Sequence, residues 1–259
     1  MTTTTTDTRP RTGGGAGAAV LRAEARLFGR ELGSLFWILL FPTILLLILG
    51  AIPDFREPDE SLGGQRVVDL YASIAVLLAM IMAAILAMPA VIAGYRERGV
   101  LRRLRTTPVH PGALLFAQVG LHAAAVLVSV VLALGVANLV YDVPLPRNLA
   151  SYALCTVLAT AATFAIGAVI TASARSTRLV QTVGTIVFFP TMFTAGVWLP
   201  VQSMGGWLHD VVVRTPLGAA AEALNDSLVG RIPDAADLAV MTGWTAVLAL
   251  VSVRAFRWE

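Results

Sequence analysis

The chain contains no lysine; all nineteen of its Lys/Arg positions are arginine. Codon bias in a GC-rich genome is the plain reading of this, but the consequence is chemical. A phosphate-binding loop of the G-x-x-x-x-G-K-[ST] type and a Schiff-base lysine are both excluded. Any ATP-driven work must come from another chain. Cysteine is almost as scarce. Cys155 stands alone inside an apolar stretch, so neither an intrachain disulfide nor a cysteine metal site can form, and it reads as a small buried hydrophobe. Charge is sparse as well, at 14% of residues against about 25% in an ordinary soluble domain. The three histidines (His110, His122 and His209) are scattered, and neither H-E-x-x-H nor G-x-S-x-G occurs. Nothing here calls for a cofactor, a metal or a nucleic-acid partner.

What is present is apolar length. Hydrophobic residues make up 57% of the 259, and mean hydropathy is +0.77. Residues 33–52 carry no formal charge across twenty positions. At about 1.5 Å per residue they reach about 30 Å, the thickness of a hydrocarbon core. Each large apolar residue there favours insertion by roughly 0.3–0.6 kcal/mol. The stretch reads as an uncleaved signal anchor, because it exceeds the h-region of a cleaved signal. Five further spans are predicted at 70–93, 113–140, 151–174, 179–198 and 235–253. Pro89 and Pro190 predict kinks in the second and fifth. Small residues crowd the fourth (Ala159, Ala161, Ala162, Ala165, Gly167, Ala168), which suits close helix–helix approach. The fold expected is an all-α integral membrane protein of six transmembrane helices forming one domain over 18–259. The Thr/Gly-rich segment 1–17 is expected to be a disordered tail.

Arginine sets the orientation. Fourteen arginines fall in the N-terminal segment, the 94–112 loop, the 175–178 turn and the tail, against five in the opposite loops. The positive-inside rule then puts both termini in the cytoplasm of a multi-pass plasma-membrane protein, and an even number of spans demands the same.

Three segments outside the spans carry pattern. Within 18–32, Leu21, Ala25, Phe28 and Leu32 fall inside about 60° of one another at about 100° per residue, while Arg22, Arg26 and Arg30 turn away. This describes either an interfacial helix facing anionic lipid or a basic topogenic flank. In the 94–112 loop, Arg98, Arg102 and Arg105 share one helical face and Glu97, Leu101 and Leu104 another, until Pro108 ends the helix. That pattern fits a docking knob for a partner groove and equally a solvated positive-inside loop. The stretch 199–232 is long for a connector. Trp207 is placed as an interfacial anchor, and Thr215 and Pro216 read as N-cap and N1 of a helix through Leu228. It forms either an external re-entrant hairpin or a surface loop with two interfacial helices.

Residues 96–109 (RERGVLRRLRTTPV) closely resemble the cytoplasmic loop of permeases in the ABC type-2 exporter family, which includes the daunorubicin-resistance-type permeases. Ala195–Pro200, Trp207-Leu208, Thr215-Pro216-Leu217 and Ala223-Leu224 resemble that family's external segment before its last span. The whole order of elements matches. The resemblance implies two paired permease protomers (a homodimer or two similar chains), each docked by a separate ATP-binding subunit, two copies in all. It implies that Arg96, Glu97, Gly99, Leu101, Arg102, Leu104, Arg105, Thr106 and Pro108 form the ATPase-coupling loop. That loop would be seated together with the interfacial helix bearing Leu21, Arg22, Arg26, Phe28 and Arg30. Pro200, Trp207, Thr215 and Pro216 would mark the external hairpin. Two departures stand out: Gln118 replaces a common basic residue, and a proline common near Gly205 or Gly206 is missing.

The implied function is export of a lipophilic drug, natural product or lipid-linked cargo. An ion-coupled secondary multidrug transporter or a non-transporting scaffold is the rival. Ion coupling usually needs carboxylates or histidines within the membrane. Here only His122 lies well inside a span, with Asp237 in the first turn of the sixth.

Overall fold

The computed structural model describes residues 14–104, 112–173 and 176–255. Helix α1 (Gly14–Phe28) is followed by α2 (Leu32–Gly50) and then by a short antiparallel pair, β1 (Pro58–Asp59) and β2 (Gln65–Arg66). Next come α3 (Val67–Glu97), α4 (Val100–Leu104), α5 (Gly112–Tyr141) and α6 (Leu149–Ser173). The chain continues through α7 (Thr177–Thr194), α8 (Trp207–Val212), α9 (Pro216–Val229) and α10 (Ala235–Ala255). Among the described residues, α2, α3, α5, α6 and α10 are long and apolar enough to cross a membrane. The fifth predicted span, α7, is not one of them: its 18 residues include Arg178, Gln181 and five threonines.

Two boundaries differ from expectation. Helix α1 starts at Gly14, inside the stretch expected to be disordered, because the alanines at 16, 18 and 19 favour helix. Residues 1–13 lie outside the described residues. Helix α1 also stops at Phe28, so Leu32 opens the next helix instead of completing the apolar face of the first.

Helix α3 is the mast of the bundle. Its residues from Leu70 to Ile85 are buried without a break, as an all-round apolar helix requires. Proline shapes it. Pro89 has no N–H, and its ring collides with the carbonyl of residue 85 in a regular helix; the chain opens into π-type turns over Met82–Ala87. Pro42 does the same to α2 over Phe36–Leu40. The widened turn pushes carbonyls towards glycines of neighbouring helices. The Ala84 carbonyl lies where a Cβ on Gly167 of α6 would stand, and the Ile85 carbonyl is 3.2 Å from the same point on Gly184 of α7.

Helix α7 runs antiparallel to α3 along its whole height. It is tied to Glu97 at one end, and at the other the Tyr71 hydroxyl donates to the Val197 carbonyl at 3.2 Å. Helix α9 is no surface element. Leu217, Leu224 and Leu228 are fully buried among α3, α6 and α10. Around it, Gln65 and Asn225 pair amide to amide at 3.1 and 3.3 Å. Arg66 closes this end: it bonds Asp69 at 2.6 Å and donates to the Tyr141 carbonyl at 3.0 Å, which ties the start of α3 to the end of α5. The Asp69 carboxylate raises the Arg66 pKa, so its charge is permanent.

Candidate functional site

The end of the bundle that carries Arg96–Leu104 gathers α1, the last turn of α3, α4, the first turns of α5 and the connection between α6 and α7. At its centre is Glu24, only 6% exposed. Its Oε2 accepts from the Tyr95 hydroxyl at 2.6 Å and from Gln118 Nε2 at 2.5 Å. A carboxylate this deep is tolerated only when hydrogen-bonded, and two donors to charge make strong bonds. One acid thus fastens α1 to α3 and α5. Helix α1 reaches it by presenting Val20, Glu24 and Phe28, one turn apart, to α5; the Phe28 ring packs on His122 with centroids 4.8 Å apart. Leu21, Arg22, Arg26 and Arg30 are exposed.

After Glu97 the chain bends. Gly99 sits at φ +68°, a conformation open to glycine, and the helix restarts as α4. Leu101, expected on an exposed apolar ridge, is instead 2% exposed and packs with Tyr95 and Leu114. It props the loop from inside. Arg102 and Leu104 fall within α4, while Arg105, Thr106 and Pro108 lie outside the described residues. Arg98 curls back, donating to the Gly94 carbonyl at 3.0 Å and resting over the Tyr95 ring.

The two residues that begin the predicted motif both bond to the ends of neighbouring helices, Arg96 half-buried and Glu97 at the surface. Arg96 donates to the Thr171 carbonyl in the last turn of α6 at 3.2 Å. Glu97 accepts from the Thr177 N–H and from the Thr177 hydroxyl, both at 2.7 Å, in the first turn of α7. A cation on a helix C-terminus and an anion on a helix N-terminus are each the favourable sign.

Between α2, α3 and α7 runs a cleft of about 840 Å³. Trp37, Phe41, Leu86, Phe188, Phe189 and Met192 line it, with Glu31 and Arg98 at the arginine-rich end and Trp198 at the other. An apolar trough with charge only at its mouth suits a lipophilic or amphiphilic guest.

The family model described as ABC-2 type transporter matches residues 17–228, from α1 through α9. The chain belongs to the ABC-2 type transporter family. Such membrane domains sit in the membrane and work with a separate ATP-binding subunit, so this chain is a multi-pass permease component. No curated protein matches the chain.

Of the residues singled out at the far end, Thr215 caps α9 by accepting from the Gly218 N–H at 3.1 Å, and Pro216 follows at the first helical position. Pro200 leads into a short 3-10 turn, and Trp207 is 74% exposed at the head of α8. Glu24 was not singled out from the sequence. Its one visible signal is a lone acid between Val20 and Phe28 on a helical stripe. Gln118, which stands where a basic residue is common, makes an amide contact to Glu24.

Proposed function

We propose that this chain is the permease half of an ATP-driven exporter of the daunorubicin-resistance type, moving a lipophilic drug, natural product or lipid-linked cargo out of a bacterial cell. In this reading α7 makes a sixth crossing, both termini are cytoplasmic, and α8 with α9 forms the re-entrant hairpin. Two protomers, alike or similar, each receive an ATP-binding subunit at the arginine-rich end. The observation that carries the proposal is the Glu24–Tyr95–Gln118 junction within a chain of this family. It joins α1, the last turns of α3 and the start of α5 in a single stiff foot, with the proposed coupling loop following directly from α3, which is what a docked motor needs to push on. The ion-coupled rival is disfavoured, because the carboxylates of the five long helices (Asp69, Glu97 and Asp237) stand only in end turns.

The test uses the chain co-expressed with an ATP-binding subunit that co-purifies with it. Inverted vesicles should accumulate a lipophilic fluorescent probe when ATP is supplied, and collapse of the proton gradient should not prevent it. Uptake that ignores ATP and dies with the gradient overturns the reading.

A further inference from the structure

We infer that Glu97 is a positioning residue that hands the motion of the 96–104 segment to α7, and through α7 to the cleft, instead of contacting the ATP-binding subunit itself. The inference rests on the permease reading above and adds the route by which the motor reaches the cargo site.

Four observations converge. The Glu97 carboxylate is already occupied, by the Thr177 N–H and the Thr177 hydroxyl. Ser176 takes a different orphan donor of the same helix end, the Leu179 N–H at 3.3 Å, so Glu97 acts as a second cap supplied from 80 residues away. Arg96, its neighbour, holds the other side of the same connection through the Thr171 carbonyl. Together they grip the end of α6 and the start of α7, each with the charge that end favours. Glu97 is also the last residue of α3, one position before the bend that leads through Gly99 into α4, so a push on α4 reaches it at once.

Helix α7 completes the path. Gly184 lies against the Ile85 carbonyl at the widened turn of α3, close enough that a Cβ there would stand 3.2 Å from that oxygen. That contact is a fulcrum. From Thr177 to Gly184 is about 10 Å along the helix, and from Gly184 to Phe189 about 8 Å, at about 1.5 Å per residue. Displacement at Thr177 therefore arrives little reduced at Phe188, Phe189 and Met192, which wall the cleft. The Glu97–Thr177 contact is exposed to water, so it can be made and broken within a cycle, and its removal leaves the buried core untouched.

The experiment uses the full chain with its ATP-binding subunit in proteoliposomes, in a Cys155→Ser background carrying one new thiol, Phe189→Cys. The readouts are the maleimide labelling rate with and without ATP in that background and, with Phe189 native, probe transport and the amount of ATP-binding subunit retained. With Glu97 intact, ATP changes the labelling rate. Glu97→Ala should erase that change and lower transport about tenfold, the factor that roughly 1.4 kcal/mol of barrier sets, while the subunit stays bound. Glu97→Gln, which keeps an oxygen for the Thr177 N–H, should restore part of both signals, and Thr177→Val should fall between. Loss of the subunit in Glu97→Ala would make Glu97 a docking contact and overturn the inference, as would unaltered labelling and transport. If ATP drives no transport with Glu97 and Phe189 both native, the permease reading falls and takes this one with it.

Discussion

Glu24 shows how much one side chain can settle at the residue scale. Three helices meet on its carboxylate, and each donor to it is a neutral group that water would otherwise satisfy. Tyr95→Phe removes one bond to a buried charge and should cost about 1.5–3 kcal/mol. Glu24→Leu removes the charge and both bonds together and leaves Gln118 to find another partner. The expected order in thermal unfolding of the detergent-solubilised chain is wild type, then Glu24→Leu, then Glu24→Ala, which adds a cavity. Proteolysis after Arg22 or Arg26 should rise in the same order, because α1 is held chiefly here. None of this was legible in the sequence. Periodicity finds the stripe on α1, but the partners of Glu24 stand 71 and 94 residues away, and no local pattern encodes them. Leu101 illustrates the converse. Its spacing with Leu104 reads as a ridge, yet burial against Tyr95 and Leu114 depends on how α3 and α5 converge. Leu101→Asp should therefore lower the thermal midpoint as well as coupling, while Leu101→Met, close in volume, should change both little.

Among the elements, the proline of α3 and the glycines of α6 and α7 form one device. Pro89 opens the helix, the Ala84 and Ile85 carbonyls swing outward, and glycines accept them. The crowding of small residues at 159–168 foretold close approach, and Gly167 is where it happens. Which residue of α3 it would meet was hidden, because the widened turn shifts the register by one position. Gly167→Ala puts a methyl onto the Ala84 carbonyl, and backbone cannot yield as a side chain can. A loss of about 1–3 kcal/mol is expected, the range for overpacking. Gly184→Ala, with 3.2 Å to the Ile85 carbonyl, should cost less. Denaturation of the two variants side by side checks the ranking. For a related reason the sequence does not decide between a re-entrant hairpin and a surface loop at α9. Its Ala, Gly and Asn content lowers its hydropathy, so 199–232 resembles a surface connector. Yet small residues are what let it pack tightly between α3, α6 and α10. Composition measures oiliness, whereas burial here follows size.

For the whole molecule, the open quantity is the number of crossings, and it turns on α7. By composition the helix is the weakest of the six candidates. Its position argues otherwise. It begins beside Glu97 and the chain leaves it beside Tyr71, at opposite ends of α3. Those residues are 26 apart, about 39 Å along a helix, which exceeds the roughly 30 Å of a hydrocarbon core. The burden of Arg178 is also light. It sits one residue into the helix, where a long side chain snorkels to the headgroups, and the threonines of α7 return their hydroxyls to their own backbone, as Thr182 and Thr185 do to Arg178 and Gln181. A helix polar in composition but satisfied within itself can cross. In a Cys155→Ser background, a thiol placed at Ser176 and one placed at Gln202 should react with a membrane-impermeant maleimide from opposite sides, Ser176 only in inverted vesicles and Gln202 only in right-side-out cells. Both reacting from one side would leave five crossings, set the two termini on opposite faces, and separate the arginines of α1 from Arg254 at the end of α10. The positive-inside count in the sequence would then have no single inside to refer to.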